Sequence, residues 1–306
     1  MRRLLAEGRG NVRAVDCKPL EQWYLRHPEA QSVQSNLRTF DTCQNAVRGA
    51  TVVYNFAADM GGMGYIESHK ADCMLNVLIN THLLVAAREA RVRRFFFASS
   101  ACVYAADKQA TTAIMPLKES DAYPAMPEDG YGWEKLFGER MCRHFREDFG
   151  LETRIARYHN VYGTHETYHG GREKAPAAIC RKVAQAKISG VHEIEIWGDG
   201  EQTRSFTYID DCLHGSELVM DGSYADPVNV GSSEMVSINQ LVSLVEDIAG
   251  VKLRRRYKLD APRGVRGRNS DNTLIQMLYG WQPSTALATG LATLYPWVYD
   301  RVSRLG

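Results

Sequence analysis

The chain has no apolar run near the roughly 20 residues that a bilayer span requires, and nothing after Met1 reads as a signal-peptide core. Nor is there an excess of charge. Its 37 Lys and Arg against 36 Asp and Glu leave a net charge of +1, so no summed field draws it to nucleic acid or to a membrane surface. The seven cysteines, Cys17, Cys43, Cys73, Cys102, Cys142, Cys180 and Cys212, form no CxxC pair and no cluster with histidine. That argues against a disulfide framework and any metal site, and for a reducing compartment. Internal repeats and low-complexity tracts are absent as well. What remains is the expectation of a cytoplasmic protein with a small-molecule partner.

The 306 residues, 44% of them hydrophobic, suffice for one large domain or two ordinary ones. Apolar and β-branched residues run together without alternating in "ATVVYNFAA" (50–58) and "FFFASS" (95–100), as in strands buried on both faces. With "NVRAVD" (11–16) and "TRIARYHNVYG" (153–163), these strands alternate with helical patterns at 72–90, 131–149 and 175–187. Such alternation predicts right-handed crossovers and a doubly wound parallel sheet of Rossmann type. Beyond about residue 165 the pattern loosens into short strands at 193–197 and 227–230, helices at 237–249 and 286–304, and Gly- and Arg-rich loops. Residues 1–164 therefore read as the nucleotide-binding sheet domain. Residues 165–306 read as a smaller, interleaved α/β substrate region, with no Pro- or Ser-rich linker between them.

Ligands of a doubly wound sheet sit outside the carboxyl ends of its strands. The segment "ASSACVY" lies where the 93–101 strand gives out, which would line the cleft with both of its serines and Cys102. About 30 residues later, "YGWEK" sets Tyr131 and Lys135 at i, i+4 on a helix start, so both share one face. An ammonium near a phenol favours the phenolate and lowers a tyrosine pKa from ~10. A tyrosine tuned in this way, beside the Ser100 hydroxyl, has the means to take a proton from a sugar alcohol while hydride leaves the same carbon.

With "NFAA" before it and "WGDGEQTRSFTYIDD" after it, this arrangement resembles the extended short-chain dehydrogenase/reductase family that acts on nucleotide sugars. More narrowly, "AADMGGMGYI", "ASSACVY", "LKESDA", "GGREKAPAA" and "VRGRNSDN" are similar to the GDP-mannose 3,5-epimerases of that family. The resemblance implies oxidation of the hexose at C4 with tightly held NAD, which acidifies the C3 and C5 protons. Removal of a proton from one face, return to the other and re-reduction would then give GDP-L-galactose and GDP-L-gulose. It implies Cys102 as base and Lys174 as proton donor. A thiol pKa of ~8.5 falls beside a cation, and a lysine in a closed pocket loses pKa by desolvation.

Further site residues follow from the same resemblance. Ala101, Glu173 and Ala175 flank the two proton carriers at the sugar, and Asn160 binds near sugar or phosphate. Lys182, Gln202, Arg204 and Arg268 reach the GDP, with Arg266 an alternative to Arg268; guanidinium forks suit a diphosphate. Gly61, Gly62 and Gly64 in "DMGGMG" permit close backbone approach to the hexose. Asp16 and Asn36 belong to the adenosine end of NAD, and Ala57, Ala58, Tyr131 and Lys135 are further cofactor contacts. Asp16 favours NAD over NADP. A homodimer through the helices at 72–90 and 131–149 is also implied.

One departure stands out. Members of this family begin with a strand and a GxxGxxG loop that holds the NAD pyrophosphate. Here "MRRLLAEGRGNVRAVD" reads as the end of the first helix followed by the second strand. The expectation is a downstream-assigned start, with a shortened protein binding NAD weakly or not at all as the alternative. Two rival functions remain: a 4-epimerase, which has no need of Cys102 or Lys174, or a 4,6-dehydratase, which usually has an Asp-Glu pair where this chain has "ACVY"; and a non-catalytic nucleotide-sugar-binding protein.

Overall fold

A computed structural model of the chain describes residues 1–262 and 264–304. The first half runs α1 (Arg2–Ala6), β1 (Arg13–Asp16), β2 (Gln31–Gln34), α2 (Phe40–Val47), β3 (Val52–Asn55), α3 (Met63–Ser68), α4 (Lys70–Met74), α5 (Asn76–Glu89), β4 (Arg94–Ser100), α6 (Tyr131–Phe149) and β5 (Glu152–Tyr158). The second half continues through β6 (Val161–Tyr162), α7 (Ala175–Ser189), β7 (Glu193–Trp197), β8 (Thr203–Ser205), β9 (Thr207–Tyr208), α8 (Ile209–Asp221), β10 (Val228–Val230), β11 (Met235–Ser237), α9 (Ile238–Ala249), β12 (Arg254–Lys258), β13 (Gly267–Arg268), α10 (Thr273–Tyr279) and α11 (Leu287–Ser303).

The central sheet is parallel, in the order β10-β5-β4-β3. Successive side chains of a strand face opposite ways, and "FFF" in β4 uses both. Phe95 and Phe97 pack with Leu83, Leu84 and Phe145 under α5 and α6, whereas Phe96 packs with Val219, Met220 and Ile275 under α8 and α10. Each ring is at most 1% exposed, and each stabilises the sheet by roughly 1.5–3 kcal/mol. This double coverage is the α/β layering that the continuous apolar runs predicted. Its last strand, β10, comes from the second half of the chain.

β1 and β2 form a separate parallel pair. Among the described residues no ladder joins β1 to β3. The second half adds small sheets, β11-β8-β13, β12-β7 and β6-β9, around a core shared by α7, α9 and α11. Ser237 caps α9 reciprocally with Gln240, and Gly150, Gly190 and Gly250 end α6, α7 and α9 in the left-handed region. Two sequence readings need adjusting. The helix expected over 72–90 is broken at Leu75 into α4 and α5, and the strand expected over 50–58 ends at Asn55, where the chain turns into the site.

Candidate active site at the carboxyl end of the central sheet

At the end of β4 the chain enters a single 3-10 turn, Ala101–Val103, capped by Ser100, whose Oγ accepts from the Cys102 N–H at 3.2 Å. Helix α6 starts directly against this turn. A Cβ at Gly132 would collide with the Cys102 carbonyl oxygen, so glycine permits the approach. Tyr131 is thereby brought to the turn. It is 5% exposed, the Ser100 hydroxyl is near enough to favour its phenolate slightly, and it packs with Cys102, Cys73, Tyr65 and Ile66. The serine hydroxyl thus sits at the turn that carries the thiol, with the phenol packed against it.

Both proton-carrying groups titrate differently from the sequence expectation. Burial, followed by the charges of Cys102 and Glu134, holds the Tyr131 hydroxyl well above its ordinary value. Lys135 does lie beside it, with Nζ 5.5 Å from the Tyr131 ring centroid and 4.9 Å from that of Phe97. In the free chain, however, desolvation outweighs that cation. The Cys102 thiol is not depressed either. Burial and the Glu128 carboxylate push it up to about 11, against the Arg268 guanidinium and the Ser100 hydrogen bond.

Lys174 caps α7 at the end of the "GGREK" loop. A Cβ at Gly62 would collide with the Glu173 carbonyl oxygen, and the Gly62 N–H donates to the Arg172 carbonyl at 3.0 Å. Glycine here admits the loop backbone. Tyr65 Oη donates to Asp59 Oδ1 at 3.0 Å, Arg172 donates to both Tyr65 Oη (2.7 Å) and Asp59, and Arg172 lies 3.9 Å over the Tyr65 ring. This clamp fastens the Lys174 loop to the same α3 that packs on Cys102. The Lys174 charge is felt by Glu166, whose carboxyl burial raises to about 7, and by Cys212 of α8. Gly61 is buried, and a Cβ there would press on Tyr65 and the Arg172 backbone; Gly64 abuts the Trp197 ring.

The residues expected to reach a diphosphate are mostly engaged within the protein. Lys182 Nζ donates to the Glu195 carbonyl (2.8 Å), and burial lowers its pKa. Gln202 Nε2 donates to the Trp197 carbonyl (2.9 Å), leaving a buried Oε1 without a partner. Arg204 donates to the Thr203 and Val265 carbonyls, and burial lowers it to about 10. Asn160, at φ 39°, donates to the Ser205 carbonyl at 3.0 Å. Half-buried Arg266 holds Asp199 through two 3.0 Å contacts, whereas Arg268 is 3% exposed and committed to Gln109, Glu128 and Cys102. An open groove of about 510 Å³ lies beside β8, lined by Thr112, Thr203, Met235, Ser237, Asn239 and Gln240 among others. None of the Ser100, Cys102 and Tyr131 cluster lines it.

For a dinucleotide, the described residues fit at the two ends. Asp16, exposed at the end of β1, accepts from the Lys18 N–H through Oδ1 and has acceptor capacity left for ribose hydroxyls. Exposed Asn36 follows β2, and Ala57 and Ala58 follow β3. At the other end the buried Lys135 ammonium has one ionic partner, Glu134 Oε2, at 3.7 Å. Glu134 is itself 1% exposed, with that oxygen unbonded. An ammonium with donors to spare beside Tyr131 suits a ribose. Two elements escaped the sequence reading: Glu128, detectable only as an acid three residues ahead of Tyr131, and the Asp59, Tyr65 and Arg172 clamp, which joins distant segments.

Residues 1–231 match the family described as NAD dependent epimerase/dehydratase. The GDP-mannose 3,5-epimerase of Arabidopsis thaliana is 46% identical over 270 residues, covering 88% of this chain and 70% of that protein. The GDP-mannose 3,5-epimerase 1 of Oryza sativa subsp. japonica matches at the same identity and coverage. Among solved structures, the UDP-glucose 4-epimerase of Thermotoga maritima superposes with a TM-score of 0.87 at 22% identity, covering 98% of this chain and 94% of that one. That likeness concerns the fold.

Proposed function

The chain belongs to the NAD dependent epimerase/dehydratase family, and on that premise we propose that it is a nucleotide-sugar epimerase acting on GDP-mannose at C5 and C3. The observation that carries this reading is the convergence of Ser100, Cys102 and Tyr131 at the end of β4, with the Lys174 loop clamped to the adjoining α3. A simple 4-epimerase needs only the tyrosine, lysine and serine. A thiol in the same cluster is the extra group that proton exchange at a second carbon requires.

Hydride acceptance and return at C4 is the chemistry that NAD supplies when bound. Asp16 and Asn36 would hold its adenosine end, Ala57 and Ala58 its middle, and Lys135 its nicotinamide ribose. Tyr131 takes and later returns the C4 hydroxyl proton, and Ser100 hydrogen-bonds the same oxygen. Once C4 is a ketone, the protons on C3 and C5 are acidic enough for side chains to exchange. Cys102 works on one face of the ring and Lys174 on the other, with Gly61, Gly62, Ala101, Glu173 and Ala175 shaping the space between. Asn160, Lys182, Gln202, Arg204, Arg266 and Arg268 would serve the GDP end, which requires several of their internal hydrogen bonds to open on binding.

The division of labour follows the chain: residues 1–164 for NAD and 165–306 mainly for the nucleotide sugar. Met74, Leu78, Trp133 and Phe137 on α4, α5 and α6, with Leu75 at the break between α4 and α5, are each at least 38% exposed, an apolar face suited to a homodimer. Among the described residues no helix is long and apolar enough to cross a membrane, and seven free thiols, six of them buried, favour a reducing compartment, which we take to be the cytoplasm.

Turnover of GDP-mannose in D2O tests the reading. Deuterium is expected at C5 of the product, and C102A should abolish that label while leaving C4 hydride transfer. Product without deuterium, or full C5 labelling by C102A, would refute it.

A further inference from the structure

The sulfur of Cys102 sits in a charged enclosure that the proposed chemistry does not explain. Arg268, from β13, points Nη1 at Cys102 Sγ (3.5 Å) and donates Nε to Gln109 Oε1 (2.7 Å). Its remaining arm pairs with the Glu128 carboxylate. Glu128 arrives from the turn preceding α6, where its backbone N–H donates to the Cys102 carbonyl at 2.9 Å. Its other oxygen, Oε2, is buried and has no hydrogen-bond partner among the described residues. The carboxylate charge is also felt by the thiol.

A lone guanidinium touching a buried sulfur would draw it toward the thiolate. Here a carboxylate paired with the same guanidinium offsets that pull. We propose that Glu128 is a positioning residue that decides the charge state of Cys102, holding it as a thiol at rest by neutralising Arg268. The other groups facing the sulfur do not alter the balance. Ser100 and Tyr131 are neutral hydroxyls, Cys73 is a buried thiol, and Arg204, opposite Arg268 in the ladder, adds a second, more distant cation. Burial acts in the same direction as Glu128. A resting thiol is a proton donor and resists oxidation and alkylation. The sulfur becomes basic only when the pair beside it is disturbed.

This inference extends the epimerase reading, in which Cys102 carries a proton, but its measurement is separate. Protein labelled with 13C at cysteine Cβ is titrated by NMR, with the Cys102 signal assigned by its loss in C102A. In E128Q the thiol midpoint should fall by more than one pH unit, a tenfold or greater change in thiolate population, because Arg268 is left uncompensated. E128D keeps the ion pair but withdraws the carboxylate, and should lower the midpoint by less. Where E128Q does not fold, the E128D shift decides. An unchanged midpoint in the folded variants overturns the proposal, since a purely structural Glu128 would not move the titration. If the midpoint falls while C102A still labels C5, the charge role of Glu128 stands and the epimerising role of Cys102 is lost.

Discussion

The end of β4 and the end of β1 face the same proposed cofactor and are built in opposite ways. At β4 the strand is covered on both faces, its terminal serine is hydrogen-bonded, and Cys102, Tyr131 and Lys135 are each at most 6% exposed. At β1 the pair β1-β2 stands apart from the central sheet, and Asp16 and Asn36 are exposed. Proton-transfer groups in a low-dielectric enclosure interact strongly with each neighbouring charge. A ribose contact needs only a carboxylate with free acceptors. The proposed chemical half of the site is accordingly prebuilt by packing, and the proposed binding half is an exposed strand end.

Three experiments break or sharpen that contrast. The largest effect is expected at the buried end: Y131F should cut turnover by roughly 10²–10⁴-fold, the usual worth of a general acid-base group, with nucleotide-sugar affinity by calorimetry unchanged. A variant within a factor of three of the parent would remove Tyr131 from C4 chemistry. Next is acid stability. His159, just beyond β5, is fully buried and bonded to Asn229 Oδ1 (3.1 Å), and burial lowers its pKa from 6.5 to about 3. Between those values the unfolded chain binds the extra proton, so stability rises with pH and is lost on acidification below 6.5. At pH 5 the cost is about 2 kcal/mol, and urea titrations of H159Q should show a flatter pH dependence over that interval. Parallel profiles would contradict the assignment. The smallest effect belongs to the exposed end: D16A should weaken NAD binding about tenfold, the loss of one charge-assisted hydrogen bond, without shifting Tm. A large loss of Tm would mean that the Asp16 carboxylate helps to hold β1 in place, beyond the packing of Val15 on the core.

Much of the fold was legible because local chemistry writes it. Three adjacent phenylalanines without alternation read as a strand covered on both faces, and Tyr131–Phe149 emerged as a helix with the expected bounds. Short elements such as β2, β8 and β12 passed unnoticed, because each relies on neighbours remote in sequence for its pairing. The site divides in the same manner. Ser100 with Cys102, and Tyr131 with Lys135, are close along the chain, and their spacing alone puts each pair on one turn or one helix face. The sequence reading that a lysine or another cation would lower both the phenol and the thiol was overturned by burial, which no spacing reports.

What the amino-acid order determined by itself was therefore the alternation of strand and helix and the contents of each strand end, since these depend on side chains a few residues apart. What only the tertiary structure decided was the electrostatic setting of those groups. Arg268 reaches Glu128 across 140 positions of the chain, and the thiol between them answers to through-space distance and to the exclusion of water.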